Sequence, residues 1–382
     1  MGETGTDGLA CRACRARAGS VVLDLGRQPA SDYFPGAADP GPDPEYPLQM
    51  WLCSACGLAQ LVADPTLPEE PAGTEPAALI AQAADAVARI AAAGLLPAGG
   101  RVAEYGSPHG GSWLGDLRRR GITTAADGEA AEVVLDCFGL MHAADQHAAL
   151  AERTARVAPG GVLLVQFHSL AAILRGGQWN ALRHGHYAYY SVTALTRMLA
   201  DHGFTPRTAW QFELYGGTVL LAASRDGEPG TGPEPSVRAL LAEDLSDGTG
   251  DPEVVGRLAR DVRERAAGLR EFLEGQRAAG RPALGYGAAS RAVALLRWAR
   301  VDRTLLTAVV DASAAKQGRR MPGTDIPIVD PGRLAADRPA AVVLFLADLL
   351  PEVRAAYPEV EAGGGRWVSA ETLASRSLKQ HS

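Results

Sequence analysis

Arg101-Val102-Ala103-Glu104-Tyr105-Gly106-Ser107-Pro108-His109-Gly110-Gly111 runs a strand-like segment into a glycine turn, and Trp113-Leu114-Gly115-Asp116-Leu117 behind it has helical spacing. Such a turn lets backbone approach a ligand, and the helix after it offers unpaired N–H groups; the same build also serves as a tight turn that binds nothing. Upstream, an alanine-rich stretch over 75–93 carries apolar residues at helical spacing and stops at Pro97-Ala98-Gly99-Gly100. Downstream, strand-like runs over 132–137, 160–167 and 216–223 alternate with helical runs over 146–157 and 191–202. The alternation predicts a mostly parallel sheet covered by helices.

Residues 225–252 are crowded with Gly, Pro, Asp and Glu, as a linker is. A helix rich in Arg and Glu follows over 252–280. A second α/β pattern opens with Ala283-Leu284-Gly285-Tyr286-Gly287-Ala288-Ala289 and continues through a helix over 290–300 and strands over 307–310 and 341–345, with a last strand near Trp367. The expected architecture is α/β: an N-terminal module over 1–70, a shortened Rossmann-like doubly wound unit over 71–225, a linker and helix over 226–280, and a second Rossmann-like unit over 281–382.

A chain of 382 residues with 47% hydrophobic content is long enough for two or three cores. Its formal net charge of -7 leaves no overall basic field for a phosphate polymer or an anionic bilayer, so nucleic acid and membrane are not expected partners. No run of about 18 apolar residues occurs, and the first residues lack the apolar core of a signal peptide; a cytoplasmic location is expected.

Four of the five cysteines form two CxxC pairs, Cys11 with Cys14 and Cys53 with Cys56. Each bend directs two thiolates at one centre, and two bends supply the four sulfurs of a closed structural zinc site. Redox dithiols or four unrelated buried thiols are the alternatives. Bound zinc would substitute for the core that so small a module lacks, and Cys137 is left as a buried thiol.

The residues around these cysteines resemble a known family. Leu25-Gly26-Arg27-Gln28-Pro29-Ala30, Tyr46-Pro47-Leu48 and Cys53-Ser54-Ala55-Cys56-Gly57-Leu58-Ala59-Gln60 look like the zinc-binding module of sugar C-methyltransferases that act on nucleotide-linked deoxysugars. Glu104-Tyr105-Gly106-Ser107, Gly139-Leu140-Met141-His142, Gln178-Trp179-Asn180, His184-Gly185-His186-Tyr187-Ala188-Tyr189-Tyr190-Ser191 and Tyr215-Gly216-Gly217-Thr218 continue the match. Lys316-Gln317-Gly318-Arg319 and Pro322-Gly323-Thr324-Asp325-Ile326-Pro327-Ile328 extend it into the last unit.

The resemblance implies S-adenosylmethionine (SAM) as cofactor, structural zinc, and methylation of a carbon beside the keto group of a nucleotide-linked deoxysugar of the kind built into antibiotics. A base must draw a proton from that carbon, and histidine suits the task because its pKa lies near working pH. His186 falls on the family's base position, with His184 and Arg183 beside it. Glu104, Gly106, Ser107, Gly110, Asp127 and His142 are expected toward the cofactor, Asp127 as the ribose acid about 20 residues past Gly106. His168, Tyr189, Tyr215, Gly217, Tyr286, Lys316 and Arg319 are expected toward the substrate, the last two supplying charge to a diphosphate. The protein is expected as a monomer or small homo-oligomer.

The sequence departs from the family's pattern at three places. The family's Tyr-His-Glu-His is here Arg183-His184-Gly185-His186, and an arginine there suits a carboxylate or phosphate. Its tyrosine-rich segment after the zinc module is replaced by Pro68-Glu69-Glu70-Pro71-Ala72-Gly73-Thr74. The interval from Glu104 to Val133 has room for one further short strand around 122–126, where the family has two. These departures keep open a SAM-independent sugar epimerase, isomerase or lyase using the same proton abstraction, and a non-catalytic protein that binds a nucleotide sugar.

Overall fold

The computed structural model describes residues 8–39, 41–66, 75–225 and 232–373. The departure at 68–74 lies outside them. The N-terminal module, for which the sequence pointed to no regular elements, is built on antiparallel strands β1 (Gly19–Pro29), β2 (Glu45–Cys53) and β3 (Ala59–Leu61). Leu23, Leu25, Met50 and Leu52 are buried on this sheet, and β1 carries irregularities between Val21 and Leu23 and between Asp24 and Arg27 that blur its alternation in the sequence.

In the central unit, α1 (Ala77–Ala92) leads to β4 (Arg101–Gly106), α2 (Leu114–Arg119), the two-residue β5 (Thr123–Thr124), β6 (Ala131–Cys137), α3 (Gln146–Ala155), β7 (Val157–His168) and α4 (Leu170–Gly176). The chain then returns to the first sheet: β8 (Ala188–Tyr189) pairs with β3, Tyr189 opposite Ala59 and Ala188 opposite Gln60. After α5 (Val192–Ala200), β9 (Phe204–Phe212) and β10 (Thr218–Arg225) complete a central sheet of order β5-β4-β6-β7-β10-β9. The first four of these strands are parallel, and β10 is antiparallel to both neighbours. Strand β9 was not apparent in the sequence because Pro206 interrupts it; a proline is tolerated there because β9 lies at the sheet edge.

The stretch read as a linker, 225–252, contains α6 (Pro235–Ser246), whose Val237 and Leu240 are buried. The single helix expected over 252–280 is divided into α7 (Pro252–Gly256) and α8 (Leu258–Ala278). The last unit runs β11 (Ala283–Tyr286), α9 (Ser290–Trp298), β12 (Val309–Val310), β13 (Ile328–Val329), α10 (Gly332–Asp337), β14 (Ala341–Leu344), α11 (Leu350–Ala356), α12 (Glu359–Ala362) and β15 (Trp367–Ser369). Its sheet is wholly parallel, in the order β13-β12-β11-β14-β15. The α/β class with two Rossmann-like units behind a cysteine-bearing module agrees with the sequence reading.

The first sheet is packed on both sides. Leu23, Leu25 and Met50 share a core with Val262 and Leu269 of α8 and with Leu295 of α9, while Trp51 and Leu58 belong to the core of the central sheet with Phe167 and Leu195. A buried ion pair reinforces the first of these contacts. Asp43 receives Nη1 and Nη2 of Arg320 at 2.6 and 2.5 Å and the Gly323 N–H at 2.7 Å, with both side chains 7% exposed. Burial alone would raise the Asp43 pKa, but the donations from Arg320 and Gly323 hold it below its ordinary value.

Arg320→Met strands a buried carboxylate and is expected to cost about 3–5 kcal/mol in a denaturant titration. Asp43→Leu combined with Arg320→Met should cost less than the single change. Because the Asp43 pKa is depressed on folding, its contribution is present above the unfolded carboxyl value and is lost as pH falls through the folded one.

Candidate active site and metal centre

Each CxxC is followed by a residue with left-handed backbone, Arg15 at φ 64° and Gly57 at φ 78°, which folds the chain back behind the pair. The Sγ atoms of Cys11 and Cys56 lie 3.5 Å apart and those of Cys14 and Cys53 3.7 Å apart, and all four sulfurs fall within 4.8 Å of one another. Zn–S bonds of about 2.3 Å in a tetrahedron separate sulfurs by about 3.8 Å, so the donor set fits structural zinc and leaves no open position for a substrate. Donation from Cys56 holds the Cys11 thiol down to about 5, while the same bond, together with burial, pushes Cys56 up. A divalent cation resolves this conflict by taking the place of the protons. Cys137 is a buried thiol, as expected, 3.9 Å from Glu104.

The residues expected toward a cofactor gather at the carboxyl edge of the central sheet, where β4 connects outward to β5 and the chain then crosses to β6. Gly106 and Gly110 face open space, with no atom within 4 Å of where a Cβ would stand. Ser107 Oγ accepts the His109 N–H at 3.1 Å. Glu104 accepts Ser112 Oγ and the Trp113 N–H, each at 2.6 Å, so its carboxylate clamps the glycine turn to the start of α2. Asp127 is exposed in the turn after β5. On the other side of the switch point, fully buried Asp136 accepts the Leu140 N–H at 2.9 Å and Arg153 Nε at 2.5 Å, fixing the turn that carries His142.

His186 stands in the turn before β8. Its ring centre is 4.6 Å from that of His142 and 6.0 Å from that of His109, and His109 and His142 are 5.0 Å apart. Sequence reasoning did not single out His109; its place inside the glycine turn was the available signal. The three imidazoles offer nitrogens within 4.8 Å of one another, but the set is a poor cation cage: Arg183 Nε donates to His186 Nε2 at 2.8 Å, and Arg291 is also close. His142 Nδ1 lies 2.8 Å from the Gly185 carbonyl. Burial, then the positive field of Arg183, His142, His109 and Arg291, drives the His186 pKa well below its ordinary value.

Gly185, at φ 81°, turns the chain so that the imidazoles of His184 and His186 do not share a face. His184 lies against Tyr46, with Nε2 3.2 Å from the Pro47 carbonyl, and its pKa is lowered by burial. Arg183 Nη1 reaches Ser290 Oγ at 2.5 Å, and Tyr189 Oη receives the Arg183 N–H at 3.1 Å. Arg291 is 9% exposed, with a pKa brought down to about 10 by burial and by Arg183. It lies over the Tyr215 ring and 3.4 Å from Nδ1 of buried His168, whose Nε2 has no partner. Among the described residues no carboxylate is within ion-pair distance of Arg183 or Arg291.

Gly217 faces Ala172, whose Cβ would stand 2.3 Å from an added Cβ, so this glycine is required by packing. Tyr286 lies farther along the last unit against Tyr357 and Trp367. Lys316 is buried, donates to the Ala288 carbonyl at 3.0 Å and sits over the Phe34 ring; Arg319 donates to the Phe34 carbonyl at 2.6 Å. These two cations tie the N-terminal module to the last unit.

Three family descriptions match in order along the chain: a zinc binding domain over residues 11–66, a methyltransferase domain over 124–209, and a C-methyltransferase C-terminal domain over 213–370. The chain is thus similar to C-methyltransferases. C-methyltransferase NovU of Streptomyces niveus is 28% identical over 235 residues that make up 61% of this chain and 54% of NovU. The aligned region thus spans about half the length of that relative.

Among solved structures, magnesium protoporphyrin IX methyltransferase of Synechocystis PCC 6803 is 14% identical over 39% of this chain and 84% of its own, with a TM-score of 0.29. The 1,6-didemethyltoxoflavin-N1-methyltransferase of Burkholderia thailandensis is 15% identical over 44% and 95%, with a TM-score of 0.30. In this chain the methyltransferase-domain match begins only at residue 124, past the glycine turn where His109 stands.

Cys14→Ser or Cys53→Ser should lower bound zinc from about one equivalent per chain to a small fraction, measured by elemental analysis, and should lower the melting temperature. Full retention of zinc in both variants would contradict the four-sulfur centre.

Proposed function

We propose that the chain is a SAM-dependent C-methyltransferase of a nucleotide-linked keto-deoxysugar or a similar keto substrate, with His186 drawing the proton from the carbon beside the ketone. The observation that carries this reading is the contact of buried His186 with His142, after β6, and with His109, in the glycine turn of β4. That contact joins the proposed base to the edge of the sheet where Gly106, Ser107, Gly110 and Asp127 would hold SAM. Bound SAM supplies an electrophilic methyl group.

The surroundings of His186 keep it neutral, which is the state a base requires. Its Nε2 lone pair is directed at Arg183, so in this arrangement the base is covered. A substrate anion that pairs with Arg183 in a bidentate manner would uncover Nε2 and bring negative charge beside the imidazolium that forms. Arg183 thus couples binding of an acidic substrate group to release of the base. Arg291, His168 and Tyr215 would line the same side of the substrate. His184 supports the turn through Pro47 rather than reaching the reacting carbon. Among the described residues no helix is long and apolar enough to cross a membrane, which is compatible with a cytoplasmic enzyme.

A second reading, proton chemistry without SAM, draws support from the two-residue β5, which leaves little sheet for a ribose and adenine pocket. Calorimetry with SAM and its demethylated product separates the two: absence of binding, together with solvent deuterium entering a keto sugar, would favour the second.

His186→Gln should reduce methyl transfer from labelled SAM to a nucleotide-linked 4-keto-deoxysugar by about 100-fold or more while SAM binding is retained. Methyl transfer at the original rate would overturn the assignment. Since the His186 pKa is depressed, kcat/KM should stay flat as pH falls through about 6.5 and decline only below it. Arg183→Met should raise KM for an acidic substrate by more than it lowers kcat.

A further inference from the structure

A cleft of about 620 Å³ lies where β1, α8 and the end of α9 meet. Arg27 borders it from β1, Arg263 and Arg270 from α8, and Arg297 and Arg300 from the end of α9; no carboxylate is among its lining residues. Two of these arginines are paired with acids, Arg297 with Glu45 and Arg270 with Glu274, each at 2.8 Å. Arg270 also donates to the Ala299 and Arg300 carbonyls at the end of α9, offsetting the negative end of that helix. Arg263 and Arg300 have no acidic partner among the described residues, so the cleft carries uncompensated positive charge.

A further feature points to a ligand with more than phosphate. Trp298, 38% exposed, forms part of the wall between the arginines of α9 and gives a ring a surface to stack on.

We propose that this cleft is a binding site for a nucleoside diphosphate, separate from the imidazole cluster. The phosphates lie between Arg263 and Arg300, and the base rests on Trp298. The volume falls within the range of about 300–1,000 Å³ usual for small-molecule sites. Helix α9 separates the two places by its own length: Ser290 at its start contacts Arg183, and Arg297 and Trp298 at its end, about 13 Å away, face the cleft.

The test is calorimetric titration of the whole zinc-loaded protein with ADP, UDP and inorganic diphosphate. The doubly changed Arg263→Glu, Arg300→Glu protein should bind ADP at least about 10-fold more weakly, and Trp298→Ala about 5-fold more weakly, both with wild-type melting temperature and wild-type methyl transfer. ADP binding that is absent from the wild type, or unchanged in the double variant, overturns the proposal. So does inorganic diphosphate binding as tightly as ADP, because Trp298 would then contribute nothing.

Discussion

The tetrathiolate centre holds the turn between β2 and β3, and the register of β3 depends on that turn. Cys53 ends β2, Cys56 lies in the turn, and Cys11 and Cys14 close it from the other end of the module. Strand β3 then accepts β8, the short strand immediately following His186. The metal centre therefore governs the imidazole cluster without touching it. Four sulfurs fix a turn, the turn fixes a three-residue strand, and that strand fixes the backbone on which Arg183, Gly185 and His186 stand.

Around His186 burial comes first, and an excess of positive charge adds to it. Among the described residues Arg183 and Arg291 lack acidic partners within ion-pair reach, and burial has already brought the Arg291 pKa down. Burial and that field together hold the His186 pKa well below its ordinary value. Such an arrangement is unfavourable in the empty protein and favourable once an anion enters, so it suits selection among ligands better than stability of the fold. The neutral ring and the cationic side chains belong together: the same field that prevents premature protonation of His186 attracts the group that would uncover its lone pair.

Much of the central and last units was legible in the sequence, since β4, β6, β7 and β14 are compact apolar runs between glycines and helical stretches. The N-terminal strands were not, because irregularities in β1 break its alternation. Strand β9 was hidden by Pro206, and α6 by the acidic and proline-rich composition of its surroundings. The cysteine centre was fully readable, since two CxxC pairs have a chemistry of their own at any distance in the chain. The imidazole cluster was only half readable. His142 and His186 stand in recognisable motifs, but His109 joins them through the folding of a glycine turn, and Gly185 sends His184 elsewhere through a backbone angle that no spacing rule supplies. Lys316 and Arg319 resemble a basic ligand loop in sequence, yet packing against Phe34 gives them a different task.

The pairing of β3 with β8 also bears on how such proteins diversify. A module whose sheet takes its fourth strand from the middle of the following unit is not a free-standing cassette. Recombination that exchanged the first 70 residues between relatives would separate two halves of one sheet, and the new partners would have to recover the same register before the histidine turn was rebuilt. Change by substitution at positions such as Arg183 avoids that obstacle, so in this architecture new substrates are more accessible to gradual drift than to shuffling of parts.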